Sequence, residues 1–218
     1  MTTVTDRDEM ERRIRAVPRP EPVLSRERAN QLTPRQRELL DQITDLIRDG
    51  FSHLTMADLA ARLNCSLRTL YGLARSREEL VLMAIDRNLW SVGRRSRSAG
   101  TAGADPLASI RAYLAAANVA VSEATPAFAR DLMAMPEGAA LQRAHNQYLM
   151  AVTRELLDYA VERNDIDPVD TTAVAHVVAG LGTTFAQPDV IETIDHSPRD
   201  AANQLVDIIL RGLQAPHP

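Results

Sequence analysis

"MADLAARLNCSLRTLYGLA", residues Met56 to Ala74, carries apolar residues at helical spacing at both ends, yet its middle, Asn64-Cys65-Ser66, is suited to stopping one helix and starting another. Asn is one of the few residues besides Gly that accept a left-handed backbone at tolerable cost, so Asn64 ends the first piece sharply. Ser66 then caps a second piece, Leu67 to about Leu73. Counted from Met56, the apolar side chains Leu59, Leu63, Cys65, Leu70 and Leu73 fall at the fourth, eighth, tenth, fifteenth and eighteenth places. Small Ala60, at the fifth, lets the two helices approach closely. The spacing predicts a helix-turn-helix in which the break aims the second piece outward with its N-terminal polar residues exposed, the geometry that enters a DNA major groove.

Such a pair needs a third helix beneath it, and the preceding segment supplies one. Thr33-Pro34-Arg35-Gln36 combines an N-cap, a proline suited to the first turn and a glutamine that completes a capping box. Leu39, Leu40, Ile43, Leu46 and Ile47 then follow a helical period, and Gly50 stops it. Thr55 starts the helix of Met56, with Asp58 three residues on. Downstream, Ser76-Arg77-Glu78-Glu79 reads as another capping box, opening a helix through Leu80, Val81, Met83, Ala84, Ile85 and Leu89.

At this point the sequence resembles a known family. Gly50-Phe51, Thr55-Met56-Ala57-Asp58-Leu59-Ala60, Cys65-Ser66, Thr69-Leu70-Tyr71 and Ser76-Arg77-Glu78-Glu79-Leu80 together resemble the DNA-binding domain of TetR-family transcriptional regulators, over roughly residues 33 to 90. The resemblance implies an all-α homodimer: an N-terminal three-helix helix-turn-helix domain on each chain, followed by a larger helical ligand-binding and dimerisation domain. By matching positions, it implies Ser66, Arg68 and Thr69 near base edges and Thr55, Tyr71 and Arg77 at phosphates of double-stranded DNA, with a palindromic operator. The chemistry agrees, since hydroxyls and helix N-termini donate to phosphate and arginine reads guanine. Tyr71 also has a structural reading, because an aromatic at helical spacing is often core. The chain departs from the family at Leu67, where a polar or basic residue is frequent, and at Gly72-Leu73-Ala74, where bulky, basic or aromatic residues are common.

The remaining organisation follows from composition. Residues 1–32 are charged, contain Pro18, Pro20 and Pro22, and show no sustained apolar period, so a flexible tail is expected, with Arg12, Arg13 and Arg15 on it. Residues 33–75 are expected to form the helix-turn-helix domain and 76–104 a connecting helix and a linker, "SVGRRSRSAGTAGAD", which is either a flexible break or simply the end of that helix. Residues 105–218 form the C-terminal domain. Within it, helices are expected from Pro106 to about Ala124, from Pro126 through Met135, from Glu137 to Arg163, from Val169 to about Gln187 and from Pro198 to Leu213. The last two carry apolar tracks, Ala173, Val177, Gly180, Leu181 and Thr184 on one and Leu205, Val206, Ile208, Ile209 and Leu213 on the other. The resemblance places a four-helix dimer interface there; monomer core is the alternative.

With 218 residues, 45% of them hydrophobic, the chain can bury a sizeable core. Its net charge of -4 is unevenly placed: 18 Arg against 14 acids before Ser98, and 7 Arg against 15 acids after. The sequence contains no lysine. Its single cysteine, Cys65, excludes an internal disulfide framework and a cysteine-based zinc cluster, which fits a reducing compartment. With no signal peptide and no apolar run of the ~20 residues that span a bilayer, the expected location is the cytoplasm.

Enzyme signatures are lacking. His145, His176 and His196 fall on different predicted elements without metal-ligand spacing, and neither a Gly-x-Ser-x-Gly elbow nor a phosphate-binding glycine loop occurs. No cofactor or metal is expected. Phe128, Met133, Met135, His145, Tyr148 and His176 are candidates to line an adaptable, mainly apolar pocket, with ordinary core as the alternative. The expected function is a sequence-specific repressor released from its operator by a small-molecule effector. A helical ligand-binding or interaction protein with a degenerate DNA-binding head is the second reading, kept open by Leu67 and Gly72-Leu73-Ala74.

Overall fold

The computed structural model describes residues 3–103, 105–122, 125–185, 187–191 and 193–214. Among these residues the fold is all-α. Its twelve helices are α1 (Thr3–Ala16), α2 (Arg26–Gln31), α3 (Pro34–Leu46), α4 (Met56–Arg62), α5 (Leu67–Leu73), α6 (Arg77–Gly100), α7 (Pro106–Ser122), α8 (Pro126–Ala134), α9 (Pro136–Glu162), α10 (Thr171–Phe185), α11 (Pro188–Ile191) and α12 (Pro198–Gly212). They form two compact units. The body contains Met1–Pro20, Val92–Glu123 and Arg143–Pro218, and the head contains Glu21–Ser91 and Ala124–Gln142.

In the head, α3 begins as its sequence dictates. Thr33 Oγ1 accepts from Gln36 N at 3.2 Å and Gln36 Oε1 accepts from Thr33 N at 2.9 Å. The buried side of α3, Leu39, Leu40 and Ile43, packs with Leu59, Leu70, Leu73 and Leu80 in one core. Gly50 ends the segment with φ +97°, a conformation that strains any other L residue.

The domain boundaries differ from the sequence reading at three places. First, residues 3–32 hold two helices rather than a tail. Met10, Ile14 and Val17 are buried in the body's core, and Asp6 and Arg13 are paired: Arg163 Nη1 lies 2.7 Å from Asp6 Oδ2, Tyr159 Oη donates to Asp6 Oδ1 at 2.9 Å, and Arg13 Nη2 donates to Glu162 Oε2 at 2.5 Å. Two of the charges that made the segment look solvated, Asp6 and Arg13, meet partners some 150 residues away in sequence. α2 belongs to the head, where Arg28 Nη2 donates to Leu73 O at 3.0 Å.

Second, of the two readings of the linker the structure takes the helical one: α6 runs unbroken to Gly100. Val92, Ser96 and Gly100 are all buried and recur every four residues, which gives this polar-looking stretch a packed helical face. Third, α8 and the start of α9 belong to the head, not to the C-terminal domain. Periodicity shows that a helix has a buried side, not which core receives it. Here Phe128 meets Phe51 edge-on with centroids 5.8 Å apart, and Thr125 Oγ1 donates to Arg48 O at 2.6 Å.

The body is built from α1, α7, α10, α12 and most of α9, around Ile110, Tyr113, Leu156, Leu157, Val178 and Val206. On α12, Ala202, Val206 and Leu210 face inward while Ile208 faces out, so its wide aliphatic surface is divided between two directions. Among the described residues no helix is long and apolar enough to cross a membrane.

Candidate nucleic-acid interface

The α4–α5 pair is assembled from short-range chemistry. Thr55 Oγ1 accepts from Asp58 N at 3.1 Å, and Asp58 Oδ2 accepts from Thr55 N at 2.9 Å and from its hydroxyl at 2.6 Å. The Thr55 hydroxyl, then the Thr55 amide, hold the Asp58 carboxyl below the usual carboxylate range. This acid at the first turn also complements the helix dipole.

At the other end of α4, Asn64 takes φ +48°. Cys65 N donates to Ala60 O at 3.0 Å and Asn64 N to Ala61 O at 3.2 Å, the paired bonds of a Schellman stop with Asn in the left-handed position. The same device ends α9, where Asn164 has φ +60° and Asp165 N donates to Ala160 O at 2.9 Å.

Two residues after the stop, Ser66 restarts the chain. Its Oγ accepts from Thr69 N at 3.1 Å and lies 2.8 Å from Thr69 Oγ1. In α5, Leu70 and Leu73 are buried, whereas Arg68 is exposed, Leu67 is 44% exposed and Tyr71 is 55% exposed. Tyr71 therefore lies on the outer face, against the core reading of that residue. A methyl at Gly72 would meet nothing within 4 Å, so this glycine serves no packing contact in the structure.

Of the six residues expected at DNA, Ser66, Arg68, Thr69 and Tyr71 are gathered at α5, and Thr55 stands exposed at the start of α4. Arg77 is different. Its Nη1 donates to the carbonyls of Phe51, Ser52 and Leu54 at 3.0, 3.2 and 3.1 Å, and Nη2 lies 3.0 Å from Glu78 Oε1. With Nη1 on three backbone carbonyls, Arg77 ties the loop before α4 to the start of α6.

Asp131 is a positioning residue that sequence reasoning missed. Its Oδ2 accepts from Phe51 N at 2.5 Å and Ser52 N at 2.8 Å. No local motif marks it, because its partners lie about 80 residues upstream. The Ser76 box forms in part: Ser76 Oγ accepts from Glu79 N at 3.1 Å, but Glu79 Oε2 accepts from Arg75 N at 2.6 Å.

The expected pocket residues fall in different units. Phe128 and Met133 belong to the head, Phe128 packed against its core and Met133 exposed. His145, Tyr148 and His176 belong to the body, where Tyr148 is buried, His145 half-buried and His176 exposed.

No protein-family model matches the chain, and no curated protein matches it in sequence. Solved structures do. The TetR-family regulator PfmR from Thermus thermophilus is 22% identical with a TM-score of 0.55, over 81% of this chain and 99% of that one. A TetR-like transcriptional regulator from Rhodococcus sp. RHA1 is 24% identical with a TM-score of 0.60, over 82% and 95%. AibR, solved with isovaleryl coenzyme A and operator DNA, is 19% identical with a TM-score of 0.59, over 80% and 97%.

Proposed function

We infer that this chain, which has the fold of TetR-family transcriptional regulators, is itself a dimeric, sequence-specific DNA-binding repressor that a small-molecule effector releases from its operator. The observation that carries this reading is the left-handed Asn64 corner followed at once by the Ser66 cap, which presents Arg68 and Tyr71 outward on a helix whose inner face, Leu70 and Leu73, is buried. A short helix anchored by two leucines and leading with hydroxyls and an arginine suits the major groove.

In this reading Arg68 reads a base edge, Ser66 and Thr69 border it, and Thr55 and Tyr71 meet phosphates. Arg77 and Asp131 fix the loop that sets Thr55 in place. The second head comes from a second copy, paired through α10 and α12, whose outward Val177 and Ile208 are 51% and 58% exposed. Symmetric pairing sets two heads one helical turn apart, ~34 to 36 Å, on a palindromic site. AibR, a structural neighbour, was solved with both an acyl-coenzyme A and operator DNA, which supports an effector for this chain as well. Release requires that the effector bind one arrangement of the dimer more tightly than the other.

The test is the binding of purified protein to its own upstream DNA and to random duplex across a range of salt. Specific DNA should bind at least about 10³-fold more tightly. Equal binding at every salt concentration would leave the interaction-protein reading, which the exposed Leu67 favours.

A further inference from the structure

α5 is a short helix that cannot hold its own shape. It spans seven residues, Leu67–Leu73, where an isolated helix needs roughly 12–15 to persist in water. Gly72 weakens it further, since glycine is a poor helix former. Its last turn carries no cation to offset the carbonyls there, and its C-cap, Ala74, is already extended at φ -141° and ψ 150°. Two carbonyls of that last turn are nevertheless paired. Leu70 O accepts from Ala74 N at 3.0 Å, and Leu73 O accepts from Arg28 Nη2, also at 3.0 Å.

Arg28 comes from α2, a six-residue helix that buries none of its own residues. A helix that adds nothing buried to a core has another reason for its ordered position. Its flanks are pinned: Leu24 and Leu32 pack on the head's core, Val23 N donates to Asp86 Oδ2 at 2.9 Å, and Ser25 Oγ accepts from Arg28 N at 3.3 Å. Asp86 is 4% exposed, so the bond from Val23 is anchored inside the head. From this mount Arg28 Nη1 lies 3.5 Å from Glu79 Oε1, and the other oxygen of Glu79 accepts from Arg75 N at 2.6 Å. One ion pair thus grips the chain on either side of Ala74, through Leu73 O and Arg75 N.

We propose that Arg28 is a positioning residue for base reading: it supplies from α2 the cation that the last turn of α5 lacks, and so fixes the helix that carries Arg68 and Tyr71. This rests on the regulator reading above and deepens it. Arg28 acts through α5, holding the end opposite to Ser66, Arg68 and Thr69, which lead the helix. A helix of two turns that frays at one end shifts the side chains at the other. Contacts with base edges depend on that placement, whereas attraction to phosphates does so far less.

The test compares Arg28→Ala with Arg26→Ala, which removes the same charge from the same helix, in the full chain. Because α2 buries nothing, both variants should unfold as cooperatively as the parent. Hydrogen exchange without DNA should run about fivefold or more faster at the α5 amides and at Ala74 N in Arg28→Ala, and at the parent's rate in Arg26→Ala. With the preferred duplex recovered from a random pool, Arg28→Ala should bind that duplex about fivefold or more weakly, and should bind random duplex as the parent does with the same salt slope. The proposal is overturned if α5 exchange in Arg28→Ala matches the parent, if discrimination between the duplexes is unchanged, or if Arg26→Ala reproduces either effect. It also falls if Arg28→Ala weakens both duplexes alike and lowers the salt slope by about 1, the signature of a direct phosphate contact. Should no duplex be preferred at all, the regulator reading fails, while the exchange measurement, which contains no DNA, still decides whether Arg28 holds α5.

Discussion

Arg77 and Asp131 hold one loop by its opposite poles: the guanidinium takes the carbonyls of Phe51, Ser52 and Leu54, and the carboxylate takes the amides of Phe51 and Ser52. The loop leads directly into Thr55, the cap of α4, so the entry of the helix-turn-helix is set by two charges far apart in sequence. Backbone groups that neither α3 nor α4 can satisfy are thereby paired. The loop is fixed although it contains little regular structure.

Removing either clamp should loosen the head. Arg77→Ala and Asp131→Ala are each expected to cost about 1–3 kcal/mol in urea unfolding, the range for stranding buried backbone groups, and to weaken specific DNA binding. Asp131 also adds an acid dependence. Burial raises its carboxyl, but the Ser52 and Phe51 hydrogen bonds outweigh this and bring it below its usual value. A carboxyl depressed in the folded state stabilises above its unfolded pKa, about 3.9, and loses that contribution as pH falls through the folded value. Stability measured from pH 6 down to pH 2 should therefore fall less steeply in Asp131→Asn than in the parent; parallel curves would show that the carboxylate does not hold the loop.

Asn64 offers a cleaner backbone test. With φ at +48°, Asn64→Ala places a β-carbon in a left-handed conformation, expected to cost about 1–2 kcal/mol. Asn64→Gly relieves that strain and should match or exceed the parent. If alanine and glycine unfold at the same urea concentration, the turn does not depend on this conformation.

The head was legible in the sequence because its determinants are local. Thr33, Thr55, Asn64 and Ser66 act on groups within about five residues, and each takes the structural role its spacing predicts. α1 was illegible for the opposite reason. Its helix carries many charges, and its order comes from Arg163, Tyr159 and Glu162 at the far end of α9. The assignment of α8 to the head, and the contacts of Arg77 with the carbonyls of Phe51, Ser52 and Leu54, likewise depend on long-range partners that no local pattern announces.

Base reading and phosphate contact predict different signatures for two exposed residues on α5. Arg68→Ala should cost about 1–3 kcal/mol on the preferred site and little on random duplex, because a base contact carries sequence information. Tyr71→Phe should weaken both DNAs alike, since a phosphate has no sequence to read. Fluorescence anisotropy with both duplexes at one salt concentration separates the two. Equal losses on specific and random DNA for Arg68→Ala would move that residue to the backbone.

The proposed dimer can be tested without touching the head. On α10 the outward residues include Ala173, Val177 and Thr184, and a methyl at Gly180 would meet nothing within 4 Å of the subunit itself. On α12, Ile208 projects outward while Val206 and Leu210 are buried. A stripe of small and apolar residues that its own chain does not cover suits close packing against a second copy. Val177→Glu with Ile208→Glu should convert the dimer to a monomer in sedimentation equilibrium while leaving the unfolding of each subunit cooperative. Losing the second half-site should then lower operator affinity by about 10²-fold or more, the scale set by tethering two binding events. Gly180→Ala is a subtler probe: it should stabilise an isolated subunit by ~1 kcal/mol through helix propensity, yet weaken a dimer in which that position meets the partner. A double-Glu variant that sediments as the parent does would place the interface elsewhere.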